Sequence, residues 1–365
     1  MIIADEMSLL LQNLLGRKPS GFGLEIEDRS LKVFAIERKR RKGCRVLSCF
    51  VRNIRKGIVQ DGQINDAEAL SREIQELLSS AKPRPVTNKF VVFSVPETKA
   101  FIRTITIPTM ERKEAEEAVK WETEANIPVA VEKVNLDWQV IEEKKGSSEI
   151  LVTAVSKDVV NGYCEVMSRL GLEILAVEVD VIATVRSLTS GKELAGKAIM
   201  VVDIGEDRTS LAVSCDEIPY FTSSIPLSGQ TFTDALQKGL GVSFEKAEEL
   251  KRKYGLEKMQ GDDALYKIYN PLIENLSLEI EKSIRFYEEN IGQGKKVEKV
   301  VLSGGGSLLK KMPNYLTQRI KKEISLGNPL LSLGMKGGYS DSFNISMAPF
   351  ATVIGLAERA CDCDD

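Results

Sequence analysis

Polar and apolar residues alternate along the opening of the chain, and period-two patterning over 22–28, 31–37 and 45–52 predicts three strands. The pattern then changes to helical spacing. "DAEALSREIQELLSS" (66–80) places Ala69, Leu70, Ile74, Leu77 and Leu78 on one face, and "KFVVFSVP" (89–96) is a short apolar run that predicts a buried strand. Three strands, a crossover helix and a further strand make a βββαβ unit. The same order returns later. "AIMVVDIGEDRTSLAVSCDE" (198–217) reads as strand, turn, strand, and "EIPYFTSSIPL" (217–227) supplies a third strand. The helix "NPLIENLSLEIEKSIRFYEENI" (270–291) and the strand-turn "KVVLSGGGSLL" (299–309) complete the set. Setting Glu25 against Asp203 aligns Ile26 with Ile204 and Glu27 with Gly205. A repeat of a whole domain implies two like lobes with a cleft between them.

The segment 97–177 breaks the repeat and reads as an inserted α+β subdomain. Its helix "MERKEAEEAVKWETEAN" (110–126) steps through Ala115, Ala118, Val119 and Glu122. A hairpin follows at 134–156 with a charged Gly-Ser turn, then a helix at 157–171 ending on Gly171. Trp121 and Trp138 are expected as core anchors of this subdomain. The predicted fold is α/β, with a tail at 1–20 and a first lobe of 21–96, 178–198 and 340–365. The second lobe takes 199–227 and 297–339, with a helical subdomain at 228–296. "GLEKMQGDDALYK" (255–267) reads as a surface loop.

Composition narrows the function. The net charge of -3 argues against a nucleic-acid partner, which needs a basic face. The basic run "ERKRRKGCR" (37–45) lies between two strands, as a solvated hairpin tip or as a dock for an anionic surface. With no histidine in the chain, Ser-His-Asp and Cys-His catalysis and most catalytic zinc sites are excluded, and no metal site is expected. The six cysteines, Cys44, Cys49, Cys164, Cys215, Cys361 and Cys363, form no C-x-x-C pair and suit a reducing compartment. No apolar run reaches the ~18 residues of a membrane span, so a cytoplasmic protein is expected. "MSLLLQNLLGRKPS" (7–20) reads either as a fraying tail or as a short amphipathic helix.

Four stretches carry a family resemblance when taken in order: "GFGLEIEDRSLK", "VVDIGEDRTSLAV", "AEELKRKYG" (247–255) and "VLSGGGSLLKKMPNYL" (301–316). With 103–140 added, nearly the whole chain resembles the PilM family of type IV pilus assembly proteins, actin-like relatives of the division protein FtsA. The resemblance implies a two-lobed, actin-like ATPase fold of the duplicated βββαβα, ribonuclease H-like kind. ATP and magnesium are the family's default cofactors, bound between the lobes. The implied partner is the cytoplasmic N-terminal peptide of PilN, an inner-membrane protein, through which alone the chain would meet the membrane. Self-association stays open, and the partner-groove residues are not identified.

The family's first phosphate turn reads Asp-Ile-Gly-Ser-Ser-Ser-x-Lys; here it is Glu25-Ile26-Glu27-Asp28-Arg29-Ser30-Leu31-Lys32. Ser30 and Lys32 match. Glu27, Asp28 and Arg29 replace small residues that let a phosphate approach the backbone. The second turn keeps Asp203, Gly205 and Thr209 but carries Glu206, Asp207 and Arg208. Gly304, Gly305, Gly306 and Ser307 match the adenine-side turn, and Glu248 and Lys251 match ribose contacts. A carboxylate ~4 Å from a phosphate oxygen costs about 4 kcal/mol at an effective dielectric of ~20, roughly a thousandfold in affinity. The tripeptide Glu-Asp-Arg occurs in both turns, so the lobes could also pair across the cleft, or all six charges could be solvated. The expectation is a cytoplasmic scaffold with a degraded phosphate site and no cofactor of its own. The alternative is a slowly hydrolysing ATPase that regulates pilus assembly. A sugar-kinase-type phosphotransferase lacks a convincing catalytic aspartate, and the acidic ending "GLAERACDCDD" counts against an FtsA-type division role.

Overall fold

The computed structural model describes residues 20–38, 43–125, 127, 130–257, 263–335 and 346–362. The amphipathic reading of 7–20 falls almost entirely outside them, as does the middle of the basic hairpin tip. The chain divides into two compact units. One takes Met1–Ser187, Leu333–Met335 and Thr352–Asp365, the other Leu188–Ser332 and Lys336–Ala351.

The first unit opens with β1 (Phe22–Ile26), β2 (Ser30–Arg38) and β3 (Cys44–Asn53), an antiparallel meander. The small hairpin of β4 (Val59–Gln60) and β5 (Gln63–Ile64) leads into α1 (Ala67–Ser80). Asp66 starts that helix, its carboxylate accepting from the Ala69 N–H. The chain continues through β6 (Lys82–Pro83) and β7 (Phe90–Val95) into β8 (Ala100–Pro108), α2 (Arg112–Glu124), β9 (Val134–Lys144) and β10 (Ser147–Ser156). It returns through α3 (Lys157–Arg169), β11 (Glu173–Val179) and α4 (Asp180–Thr189). The main sheet has the order β11-β7-β1-β2-β3-β6, with β1, β7 and β11 parallel. β1 is buried along its whole length, Glu25 included.

The inserted layer is shorter than the sequence suggests. Strands β8, β10 and β9 form their own antiparallel sheet, with α2 against it. But β11 pairs with β7 in the main sheet, and Tyr163 on α3 stacks on Phe93 of β7 at 5.9 Å. The departure from the repeat therefore spans about 100–156 rather than 97–177; the helical period of 157–171 could not show which sheet it covers. Trp121 also departs from expectation. Ala115, Val119 and Thr123 form the buried face of α2, and Trp121 lies on the far side, 75% exposed. Trp138 packs beside Ile107, Val119 and Ile150.

The second unit repeats the topology. It contains β12 (Ala198–Ile204), β13 (Thr209–Cys215), β14 (Ile218–Ile225), α5 (Gly229–Leu240), α6 (Phe244–Tyr254) and α7 (Ala264–Asn290). After these come β15 (Val297–Ser303), α8 (Met312–Ile320) and β16 (Glu323–Leu326), and the sheet order is β14-β13-β12-β15-β16. As in the first unit, one strand carries an antiparallel meander on one side and parallel strands on the other. α7 starts at Ala264, inside the predicted loop, and runs through Pro271. Leu265 and Tyr269 are fully buried, and their packing extends the helix N-terminal to the predicted start at residue 270. The final helix α9 (Ala351–Asp362) belongs, from Thr352 onward, to the first unit. Glu178 of β11 binds Arg186 of α4 at 2.7 Å and Arg359 of α9 at 2.8 Å, and its side chain is 3% exposed. Burial raises the Glu178 pKa, but the two guanidinium groups outweigh it and bring the carboxyl down to about 2.

Candidate functional site: two strand turns

The two turns share one backbone design. In the first, Glu25 lies opposite Lys32 and Ile26 opposite Leu31, and the Glu27 N–H donates to the Ser30 carbonyl at 2.9 Å. In the second, Asp203 lies opposite Ser210 and Ile204 opposite Thr209, and the Gly205 N–H donates to the Arg208 carbonyl at 2.9 Å. The pattern equates Glu27 with Gly205, Asp28 with Glu206, Arg29 with Asp207 and Ser30 with Arg208. The Glu-Asp-Arg tripeptides are thus one residue out of step. Their common spelling does not make them equivalent positions.

Four predicted residues meet in the first turn. The Lys32 ammonium lies between two carboxylates, 2.9 Å from Glu25 and 2.8 Å from Glu27, and the Ser30 hydroxyl donates to the same Glu27 oxygen. Lys32 and Glu25 are almost wholly buried, with side chains 11% and 6% exposed. Burial opposes both charges. Even so, Lys32 is held well above its ordinary pKa by Glu25 and Glu27, and Glu27 is held below its own by Lys32 and Ser30. Asp28 is engaged elsewhere. Its carboxylate accepts from the backbone N–H groups of Asp61 at 2.6 Å and Gly62 at 2.9 Å, fastening the turn to the β4–β5 hairpin. The Gly62 carbonyl in turn accepts from the Tyr163 hydroxyl. The Arg29 carbonyl accepts from the Ile54 N–H.

The ATP implied by the family resemblance can be tested against these donors. A phosphate at this turn would draw on Ser30 and Lys32, and both already end on Glu27.

In the second unit the N-terminus of α5 backs the turn: Gly229 N–H donates to the Gly205 carbonyl and Gln230 N–H to that of Glu206. A capping box of Ser228 and Thr231 closes the helix start. The Thr209 hydroxyl, fully buried, donates to the Leu227 carbonyl at 2.6 Å and so holds the strand that leads into α5. Glu206 and Asp207 are exposed, while Arg208 reaches the Ser224 hydroxyl. Glu248 and Lys251, on successive turns of α6, pair at 2.7 Å. Lys251 also donates to the Gly229 carbonyl and the Thr233 hydroxyl, and Thr233 donates to Glu248. Thr233 has no counterpart in the motif reading, although its spacing from Gly229 along α5 places it on the same face.

The three glycines of the third motif do different things. Gly304 adopts φ +78°, and a Cβ there would lie 2.3 Å from the Ile204 carbonyl oxygen and 2.5 Å from Asp203. A Cβ on Gly306 would meet Ile204 Cγ2 at 2.3 Å. Both let the third motif lie directly on the second turn. Gly305 has open space beside it. The buried Ser307 hydroxyl bonds the Gly304 carbonyl at 2.7 Å and closes the loop. Asp203, Gly205, Gly304 and Gly306 therefore form one neighbourhood, joined through Gly229 to Lys251 and Glu248.

A separate pocket of about 350 Å³ opens in the first unit between α2 and the three-stranded sheet. Ile107, Met110, Ala115, Trp138 and Ile150 line it, with Arg112 and Glu143 among its polar members. It includes none of the residues matched to the nucleotide site by the family resemblance. Among the described residues, no group of His, Cys, Asp and Glu could hold a metal ion, and no helix is long and apolar enough to cross a membrane.

This double βββαβ arrangement has the fold of the actin-like proteins. It superposes on EutJ, an ethanolamine utilization protein of Carboxydothermus hydrogenoformans, with a TM-score of 0.54 at 14% identity, over 96% of this chain and 97% of that one. MreB5 of Spiroplasma citri, solved with AMPPNP, matches with a TM-score of 0.51 at 12% identity, over 88% and 97%. A much stronger match is to a chain of a PilM–PilN type IV pilus biogenesis complex, with a TM-score of 0.81 at 28% identity, over 94% and 98%. The family described as type IV pilus assembly protein PilM matches residues 23–361, and the chain belongs to it. The cell division protein FtsA of Staphylococcus epidermidis is 29% identical over 104 residues, which are 28% of this chain and 22% of FtsA. The chain thus spans less than a quarter of that relative's length.

Proposed function

We propose that this protein is the actin-like cytoplasmic adaptor of a type IV pilus, or related secretion, assembly complex. It holds the cytoplasmic N-terminal peptide of a PilN-like inner-membrane protein and reaches the membrane only through that partner. The observation that carries this reading is the 0.81 superposition, over nearly all of both chains, on a PilM solved with PilN. A peptide groove of this kind works through apolar anchors and backbone pairing, and neither requires a nucleotide. Titrating the N-terminal peptide of a genomically adjacent PilN-like protein into the purified chain tests the reading. Saturable one-to-one binding supports it, and no binding at millimolar peptide overturns it.

The adaptor reading includes an altered phosphate site, supported by the engagement of Ser30 and Lys32 with Glu27. A second reading, a slow ATPase, draws on the second unit, where Gly304 and Gly306 retain the close approach that the third motif requires. Equilibrium binding of ATP with magnesium separates the two. The adaptor reading expects none at millimolar nucleotide, and the ATPase reading expects micromolar affinity with measurable turnover.

A further inference from the structure

Glu27 takes the position equivalent to Gly205, yet its side chain is not idle. One of its oxygens collects the Ser30 hydroxyl and the Lys32 ammonium together. These are the two first-turn side chains that match the phosphate-binding pattern. We propose that the Glu27 carboxylate is a built-in anionic ligand, filling the phosphate's role at the first turn and holding Ser30 and Lys32 as a bound phosphate would. The inference rests on the altered-site reading above and deepens it: one residue accounts for the loss, by occupation of the donors and not by destruction of the turn.

The surrounding geometry supports an occupied site over a collapsed one. The turn retains the same closing hydrogen bond and cross-strand register as its counterpart at Gly205. Its donors remain adjacent, one buried hydroxyl and one ammonium converging on a single oxygen. Asp28 does not compete for them, because its carboxylate is fixed on the Asp61 and Gly62 N–H groups. Arg29 supplies its carbonyl to Ile54. Glu25 holds Lys32 from the other side and keeps the ammonium in place when Glu27 is removed.

The test compares wild type, Glu27→Gly and Glu27→Gln by calorimetric titration with ATP plus magnesium, and separately with adenosine. Removing a carboxylate from beside the donors should improve ATP affinity by roughly a hundredfold or more. Glu27→Gln, which keeps the side-chain size and loses the charge, should show a smaller gain. Adenosine binding should not change, because adenosine has no phosphate to take the freed donors. Two silent variants beside a silent wild type would refute the built-in ligand and leave the adaptor reading standing. An equal gain for ATP and adenosine would also refute it, since general loosening would then be the cause. Micromolar ATP binding by wild type would defeat the altered-site reading itself. If Glu27→Gly does not melt cooperatively, Glu27→Gln alone decides: a gain selective for ATP supports the proposal and no gain overturns it.

Discussion

Lys32→Met provides the most direct energetic test of the first turn. Its ammonium binds Glu25 at 2.9 Å and Glu27 at 2.8 Å, so the two oxygens lie no farther apart than these bonds end to end, about 5.7 Å. Without the lysine, two like charges at that separation repel by about 3 kcal/mol at an effective dielectric of ~20. Losing the charged partner of a buried pair is known to cost ~3–5 kcal/mol, so the two routes agree. Both tryptophans, Trp121 and Trp138, lie in the first unit, and urea unfolding followed by their fluorescence reports on that unit. At pH 7 Lys32→Met should lose about 3 kcal/mol. The loss should shrink as pH falls, because repulsion between the two carboxylates raises one folded pKa above its unfolded value and protonation then removes the clash. The double variant Lys32→Met/Glu27→Gln should recover most of the loss at pH 7. A single variant within about 0.5 kcal/mol of wild type, or a double variant no better than the single, would refute the reasoning.

Glu178→Gln should destabilise the first unit by about 3 kcal/mol at neutral pH, the worth of lowering a carboxyl from its ordinary 4.5 to about 2. Because the folded value is the depressed one, that contribution is complete above pH 4.5 and disappears as pH falls toward 2, so the mutant and wild-type urea midpoints should converge there. Gly304→Ala should cost more than about 2 kcal/mol in the second unit, since its Cβ has no room beside Ile204 and φ is positive; an unchanged melt would contradict that packing. Trp121→Ser should change stability by less than about 0.5 kcal/mol, as befits an exposed side chain, and a larger loss would place the indole in a core.

Much of the fold was legible because strand and helix periods differ. The predicted strands at 22–28, 31–37 and 45–52 fall within a few residues of β1, β2 and β3, and the second meander is equally clear. What the periods could not convey is partnership. Nothing local in 157–171 reveals that α3 packs beside β7, and only tertiary packing continues α7 through Pro271. Trp121 was legible in principle. It sits two residues beyond Val119, on the opposite side of the helix, and the helical face should have outweighed the general habit of tryptophan burial. The first turn was read as charges intruding on a phosphate. Its hairpin register already placed Lys32 opposite Glu25, one alternate position from Glu27, so an internal ion triad could have been anticipated. The step of one residue between the two Glu-Asp-Arg tripeptides was visible as well, in the alignment of Glu27 with Gly205. The use of Asp28 to fasten the β4–β5 hairpin was not, because it joins residues 33 apart through a loop of no regular period.

The central claim is that this member of the PilM family works as an adaptor without a nucleotide. Calorimetric titration of a PilN-like N-terminal peptide into the nucleotide-stripped chain, repeated with millimolar ATP and magnesium, tests it most directly. The account predicts one-to-one binding with the same Kd in both experiments. Binding that appears only with ATP, or tightens tenfold or more when it is added, would contradict it.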